Sequence, residues 1–273
     1  DNCAEYANLI FNNSADYSGS TLLLGAIFFT FQIYGDFSGY SDIAIGTSRL
    51  FGFDLKQNFN FPYFSRDIAE FWRRWHISLS TWFRDYLYIP LGGSRGGTWM
   101  KVRNTFIIFI VSGFWHGANW SFVVWGTLNA IYFLPLLLTN KNRNHIDIVA
   151  KGKSLPNLKE LSFMLLTFAL TVIAWIFFRA ESVSHALNIL SEILSLSIFS
   201  NPNIPNNTLE LRLFPFILSL FIMLEWIGRE QKYAIANLDL RVNKPIRFAF
   251  YYSIIFLVFL FKGQSQEFIY FQF

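Results

Sequence analysis

Two histidines carry the most specific chemistry in this sequence: His76 in EFWRRWHISLSTWF and His116 in GFWHGANW. A neutral imidazole near pH 7 can accept a proton from an attacking hydroxyl group, as a general base does. His116 stands at a break between two apolar runs, where an ionisable group usually has a function. For His76, a structural role in an interfacial helix is an equal alternative. We take His116 and His76 as the candidate catalytic residues.

The composition is typical of a membrane protein. The 273 residues are 53% hydrophobic, 20% aromatic and only 15% charged, with a mean hydropathy of +0.34, whereas soluble domains are about 25% charged. The net charge of +4 is small and accompanies no nucleic-acid-binding motif. The single cysteine, Cys3, excludes an internal disulfide and a cysteine zinc site. No H-E-x-x-H motif is present, which argues against a zinc site.

The apolar runs predict an all-α, polytopic membrane fold in one domain. We predict membrane spans at 22–53, 102–115, 120–138, 161–178, 213–227 and 248–261, and an amphipathic interfacial helix at 181–199. The span at 22–53 is longer than usual, so it is long, tilted or broken. We predict that residues 1–20 form an acidic, polar loop.

The basic residues predict the orientation of these spans. Lys and Arg are concentrated in 54–103, 139–160 and 229–247 and are scarce in 1–20, 179–209 and 262–273. The positive-inside rule then places the basic segments in the cytoplasm and both chain ends outside, if 102–116 and 120–138 form a hairpin.

The same pattern predicts the depth of His116. A helix that begins near Val102 at the cytoplasmic face rises about 21 Å over fourteen residues, whereas the hydrocarbon core is about 30 Å thick. His116 is therefore expected within the membrane at a helix break, where broken backbone must line a cavity or be buried in protein. On one continuous helix, His76 would share a face with Trp72, Leu79 and Phe83.

Three further residues are candidates for the site. Asp36 and Asp42 lie in YGDFSGYSD within the first predicted span, and Asn119 follows His116 in the turn Gly117–Asn119. Carboxylates inside a membrane usually have a function. For Asp36 and Asp42, pairing with arginines is the slightly favoured alternative.

Three long sequence motifs resemble those of a known protein family. FWRRWHISLSTWFRDYLYIPLGG, SGFWHGANWSFVVWG and QIYGDFSGYSDIAIG resemble the membrane-bound O-acyltransferase family, in its branch of bacterial alginate and peptidoglycan O-acetyltransferases. The resemblance implies a helical fold around a central tunnel that acyl-CoA or another thioester enters from the cytoplasm. It also implies that the FWHG histidine, His116, is catalytic and that His76 is the second signature position.

The resemblance further implies a multi-pass protein of the cytoplasmic membrane that passes acetyl groups outward to a polysaccharide. An extracytoplasmic SGNH-type esterase-like partner often completes this transfer. The branch normally carries several more N-terminal spans, so we expect residues 1–273 to be the C-terminal portion of one such membrane domain. With acetyl-CoA as donor, its phosphates would suit the basic cytoplasmic residues Arg66, Arg73, Arg74 and Arg84.

Two other functions stay open. A family relative could transfer D-alanyl groups to teichoic acid from a carrier-protein thioester. A membrane transporter or scaffold without chemistry is the third hypothesis, and it would tolerate loss of His116.

Overall fold

Helices and their connections make up the described part of the chain. A computed structural model describes residues 2–204, 209–238 and 242–261. It contains no β-strand in these ranges, which confirms the all-α prediction. The helices are α1 (Asn2–Asn12), α2 (Gly19–Leu50), α3 (Ile68–Arg74), α4 (Ile77–Phe83), α5 (Gly97–His116), α6 (Trp120–Leu138), α7 (Leu158–Arg179), α8 (Val183–Ile193), α9 (Leu209–Gly228) and α10 (Lys244–Leu260).

The helices α2, α6 and α7 are long and apolar enough to cross a membrane, and α9 contains a shorter apolar helical stretch at Leu213–Gly228. The 32 residues of α2 form one unbroken helix, which at 1.5 Å per residue is about 48 Å long. The first predicted span is therefore long rather than broken. Such helices support the prediction of a membrane protein.

The prediction of a polar loop at the N-terminus is wrong for residues 2–12, which form α1. Ala7, Ile10 and Phe11 are buried, and a Cβ on Gly25 would lie 2.6 Å from the side chain of Ile10. The glycine therefore allows α1 to lie close against α2. The apolar residues recur at helical spacing, but the acidic residues Glu5 and Asp16 obscured that pattern.

The predicted hairpin is formed by α5 and α6. A Cβ added to Gly113 would lie 2.2 Å from the carbonyl oxygen of Phe122, and one added to Gly126 would lie 2.2 Å from that of Phe109. Only glycine at these two positions allows the two backbones to approach so closely. Helix α5 begins at Gly97, five residues before the expected start.

The predicted amphipathic segment at 181–199 divides into α8 and a 3-10 turn at Leu196–Phe199. Ala186, Ile189 and Ile193 form the buried face of α8 and belong to the main hydrophobic core. The amphipathic pattern thus serves packing within the bundle, which local periodicity cannot distinguish from packing against lipid.

Contacts between distant segments divide the molecule into two ends. At one end, Arg66 pairs with Asp147, and Arg229 donates to the carbonyl oxygens of Val149 and Ala150. At the other end, Asn119 donates to the carbonyl oxygen of Glu181, Ser14 bonds His185, and Gly19 donates to Ser197. The basic segments therefore meet at one end, as the positive-inside argument requires, and we call this the basic end.

A buried ion-pair network holds the basic end together. Glu70 is 1% exposed and contacts the guanidinium groups of Arg66 at 3.0 Å and Arg74 at 2.8 Å. Arg66 also lies 2.9 Å from Asp147 and 3.6 Å from Glu160. Although burial opposes charge on Arg66, its carboxylate partners outweigh that effect and raise its pKa. The network ties α3 to the loop between α6 and α7.

The end at which each loop lies can be tested by cysteine labelling in intact cells. After Cys3→Ser, single cysteines placed within 140–158 or 231–238 are expected to resist a membrane-impermeant thiol reagent, because these segments belong to the basic end, which the positive-inside rule assigns to the cytoplasm. A cysteine at 201–204 is expected to react. Labelling of the 140–158 loop from outside would contradict the orientation.

Removing the charge of Glu70 should destabilise the fold strongly. Glu70→Gln leaves two buried guanidinium groups short of their shared carboxylate, a change that typically costs about 3–5 kcal/mol. The measurement is thermal unfolding of the purified protein in detergent. Asp85→Asn is the control, because the Arg84–Asp85 pair is exposed and its loss should leave the melting temperature unchanged. Equal melting temperatures for Glu70→Gln and wild type would refute the role of the network.

Candidate active site

A cavity of about 250 Å³ lies between the α3–α4 segment and the α5–α6 hairpin. It is lined by Trp72, Leu79, Ser80, Phe83, Arg84, Tyr88, Ser94, Thr105, Ile108, Phe109, Ser112, Phe133, Leu137, Asn142 and Arg143. Arg84 and Arg143 lie at the basic end, and the walls are mainly apolar. Ser112 lies one helical turn before His116 on the same face of α5. The cavity therefore runs from exposed arginines toward His116.

His116 is the last residue of α5 and is 9% exposed. Its ring lies in edge contact with Trp125 at 5.3 Å and with Phe178 at 5.0 Å between centroids. A Cβ on Gly117 would lie 2.7 Å from the ring of Phe122, so the chain can turn here only because this residue is glycine. The break and the aromatic surroundings predicted from the sequence are both present.

Helix α5 is longer than the sequence suggested, and the contacts of His116 show where it lies in the bundle. Because α5 has 20 residues, its rise is about 30 Å, not the 21 Å that the sequence suggested. His116 contacts Phe178, which lies in the last turn of α7. It therefore lies toward the end of the bundle opposite the basic end, and its depth within the membrane stays a prediction.

His76 lies where the predicted continuous helix is interrupted. Trp75 ends α3 in extended conformation, and His76 begins α4 with a left-handed φ of 44°. A non-glycine residue in this region carries strain that is common at functional sites. The expectation that one helical face joins His76 to Trp72 is therefore wrong. No local residue type signals this break.

The imidazole of His76 faces an apolar environment. Its ring meets Phe37 edge-on at 4.6 Å, and its buried Nδ1 atom has no hydrogen-bond partner among the residues that the structure describes. Burial lowers the pKa of His76 to about 4, so the ring is neutral at pH 7. Neither His76 nor His116 is among the residues that line the cavity beside Arg84.

Asn119 has a structural place in the break after His116. Its side chain accepts a hydrogen bond from the amide of Ser121 and thereby caps α6. Its amide nitrogen donates to the carbonyl oxygen of Glu181 at 2.8 Å. Both polar atoms therefore fix the position of the α5–α6 turn against the α7–α8 connection. A direct catalytic role of Asn119 stays a prediction.

The predicted donor-binding arginines do not form one surface. Arg66 and Arg74 are buried against Glu70. Arg73 donates to the carbonyl oxygens of Asn142 and His145 at 2.8 and 2.7 Å. These three guanidinium groups face protein acceptors, and their contacts favour structural roles. Arg84 alone of the four predicted arginines lines the cavity.

Sequence reasoning missed Arg143 and Asn142, which line the cavity beside Arg84. The only available signal was the basic character of the 139–160 loop. The position of this loop depends on hydrogen bonds from Arg73 in α3 to the carbonyl oxygens of Asn142 and His145. Such contacts between distant segments cannot be predicted from residue spacing.

Asp36 and Asp42 stay apart from this cavity. Neither carboxylate lies within ion-pair distance of an arginine in the ranges that the structure describes, so the expected arginine pairing is not found there. Asp42 lines a separate cavity with Glu225.

Comparison with known proteins identifies similar sequences. The chain is 40% identical over 223 residues to the probable alginate O-acetylase AlgI of Pseudomonas aeruginosa, covering 81% of this chain and 40% of that protein. It is 39% identical over 197 residues to the peptidoglycan O-acetyltransferase of Helicobacter pylori, covering 72% and 36%. It is 40% identical over 116 residues to the teichoic acid D-alanyltransferase of Streptococcus thermophilus, covering 40% and 28%.

The shared region contains both histidine motifs. The chain spans about 40% of the length of the first of these curated relatives. The family model described as MBOAT, membrane-bound O-acyltransferase family, matches residues 13–178, a range that includes α2 to α7 and the cavity between them. Together with the relatives, this match shows that the chain belongs to the membrane-bound O-acyltransferase family.

Proposed function

We propose that this chain carries the acyl-transfer site of a membrane O-acetyltransferase that moves acetyl groups from cytoplasmic acetyl-CoA to an extracytoplasmic polysaccharide. The observation that carries the proposal is the cavity that leads from Arg84 and Arg143 to the turn of α5 before His116. Family membership and the two O-acetyltransferase relatives support the reaction class.

The donor enters from the basic end in this proposal. Its phosphates pair with the exposed guanidinium groups of Arg84 and Arg143, since arginine suits phosphate geometry. The thioester arm then lies between the apolar walls formed by Phe109 and Phe133. These walls exclude water that would otherwise hydrolyse the thioester.

The chemistry takes place beside His116. The oxygen of the acceptor hydroxyl attacks the acetyl carbonyl carbon, its proton passes to the imidazole of His116, and the carbon–sulfur bond breaks to release the coenzyme A thiolate. The released thiolate then takes up a proton. His76 serves to position the donor, because it begins α4, which contributes Leu79 and Phe83 to the cavity wall.

The acceptor approaches from the end opposite the arginines. The turn at 117–119 lies there against the α7–α8 connection, so an acceptor hydroxyl need not cross the donor cavity. An SGNH-type partner outside the membrane would pass the acetyl group to an alginate-like or peptidoglycan-like polysaccharide.

Transfer of D-alanyl groups is the second candidate, supported by the Streptococcus thermophilus relative. Its donor would be a carrier-protein thioester, so a purified carrier rather than acetyl-CoA would support turnover. A transporter or scaffold is the third candidate, and it predicts that His116 is dispensable.

His116→Ala should abolish most acetylation while leaving the fold intact, because Ala removes the imidazole and introduces no larger side chain. Loss of a general base typically costs about 10²–10⁴-fold in rate. His116→Gln should be nearly as inactive, since an amide cannot act as a base. The measurement is acetate released by mild base from envelope polysaccharide, at matched protein levels.

His76→Ala should lower acetylation less than His116→Ala does, because we assign it to positioning. His145→Ala and His185→Ala are the controls, as His145 lies in the loop between α6 and α7 and His185 lies in α8, and they should retain wild-type acetylation. The base assignment is wrong if His116→Ala keeps more than about a tenth of wild-type acetylation, well outside the expected range.

Arg84→Ala and Arg143→Ala should each raise the KM for acetyl-CoA and leave kcat nearly unchanged, because each removes binding shared by ground and transition states. A charge-assisted hydrogen bond is worth about 1.5–3 kcal/mol, so a rise of about tenfold or more is expected. The measurement is steady-state acetyl transfer in membranes.

Arg95→Ala is the matched control, because Arg95 is exposed near the same end but lies outside the cavity lining. Arg74→Ala should instead lower the amount of folded protein, since Arg74 pairs with buried Glu70. An unchanged KM for both Arg84→Ala and Arg143→Ala would contradict donor binding at the cavity mouth.

A further inference from the structure

A second cavity, of about 340 Å³, lies between α2, α9 and the turn that follows α9. Its lining includes Tyr34, Asp42, Phe59, Phe221, Glu225 and Lys232. It shares no lining residue with the cavity beside Arg84. Tyr34 and Phe59 contact Trp75 at 5.9 and 5.0 Å, so the aromatic core borders this second cavity. The acyl-transfer proposal leaves it without a role.

Two carboxyl groups line this cavity. Glu225 accepts a hydrogen bond of 2.5 Å from the hydroxyl of Tyr34, and Asp42 lies on the α2 side. Within the described ranges, neither carboxylate lies within ion-pair distance of a lysine or arginine. Carboxylates between apolar helices are costly without a counterion. A cationic ligand would supply that counterion.

Aromatic rings make the same cavity suitable for an ammonium group. The ring of Tyr34 contacts those of Phe59 at 5.7 Å and Phe221 at 6.0 Å, and all three line the cavity. Ring faces attract cations, and the attraction strengthens where water is excluded. Carboxylates together with aromatic faces therefore favour an organic ammonium over a strongly hydrated metal ion.

The rim of the cavity has the opposite charge. Lys232 is exposed there, and its backbone carbonyl accepts a hydrogen bond of 2.7 Å from Gln57, which fixes the turn to the preceding segment. A cation at the rim and carboxylates inside match a ligand that carries a phosphate and an ammonium group a few atoms apart.

The cavity is open on its α2 side. Gly35 and Gly39 line it, and a Cβ added to either would meet no atom within 4 Å. The neighbouring Tyr40 and Ile43 are 59% and 72% exposed. Helix α2 is one of the candidate membrane spans, and acyl chains can lie along this open, apolar side. A ligand with acyl chains could enter there from the side.

We propose that this cavity binds the head group of phosphatidylethanolamine. The primary ammonium lies between Asp42 and Glu225, the phosphate lies at Lys232, and the acyl chains run along the open glycine side of α2. The proposal is independent of the acyl-transfer chemistry, because it concerns a different cavity and a lipid that is not consumed.

The test is native mass spectrometry of the purified full chain in detergent, with equimolar phosphatidylethanolamine, phosphatidylcholine and phosphatidylglycerol. We expect phosphatidylethanolamine to be retained about tenfold over phosphatidylglycerol, the discrimination that one charge-assisted hydrogen bond provides. Phosphatidylcholine should be intermediate, since it keeps the cation but cannot donate a hydrogen bond. Equal retention of phosphatidylglycerol by the wild type would overturn the proposal.

Substitutions of the two carboxylates test whether the lipid binds in this cavity. Asp42→Asn should remove most of the preference, and it should fold because Asp42 is exposed. Glu225→Gln provides a second, independent loss, with thermal unfolding as the check on folding. Asp16→Asn is the matched control at the other end of the molecule. A preference that survives in both Asp42→Asn and Glu225→Gln would refute the site.

A competition experiment distinguishes binding of the lipid from binding of its free head group. O-phosphoethanolamine in millimolar excess should not displace the lipid, because it lacks the acyl chains that contact α2. Displacement at that concentration would show that a soluble phosphoethanolamine is the ligand and would overturn the lipid assignment.

Discussion

The buried carboxylate of Glu70 is the interaction on which the arrangement of the basic end depends. Two guanidinium groups, of Arg66 and Arg74, meet this one carboxylate, and both also donate to the carbonyl oxygen of Asp147. Such a buried network is stable only when every partner is present. It therefore fixes α3 and the 139–157 loop as one unit, although α4, α5 and α6 lie between them in the sequence.

This unit determines the shape of the cavity beside Arg84 and Arg143. Arg73 lies in α3 between Glu70 and Arg74. It donates hydrogen bonds to the carbonyl oxygens of Asn142 and His145 and so holds the loop in place. Arg229 holds its other part through Val149, Ala150 and Lys153. Because four arginines satisfy carbonyl groups of one loop, Arg143 is held at the cavity mouth on a defined backbone. Arginines that resemble ligand-binding residues in the sequence thus act mainly as supports.

The sequence predicted those features that depend on local pattern. Apolar length predicted the three helices that are long enough to cross a membrane, α2, α6 and α7. The positions of Lys and Arg predicted the division into two ends, and Gly117 predicted the break after His116. Features that depend on tertiary contacts were missed. The left-handed backbone at His76, the burial of α1 against Gly25 and the arginine-to-carbonyl bonds all require a partner distant in sequence. Charge alone could not distinguish Arg84, which lines the cavity, from Arg66, which is buried.

The distance between the cavity mouth and His116 restricts the donor. Along α5, the cavity lining extends from Thr105 to Ser112, a rise of about 10 Å, and His116 lies about 6 Å further. A donor whose charged group binds at Arg84 and Arg143 must therefore carry its acyl group on an arm of more than about 15 Å. A narrow cavity accepts such an arm only if it is slender and largely apolar or uncharged. A thioester on a long flexible arm meets these conditions, whereas a short acyl phosphate would leave its carbonyl far from the imidazole. In the function that we propose, this separation couples anion binding at the basic end to acyl transfer beside His116, because only a fully inserted donor reaches the imidazole.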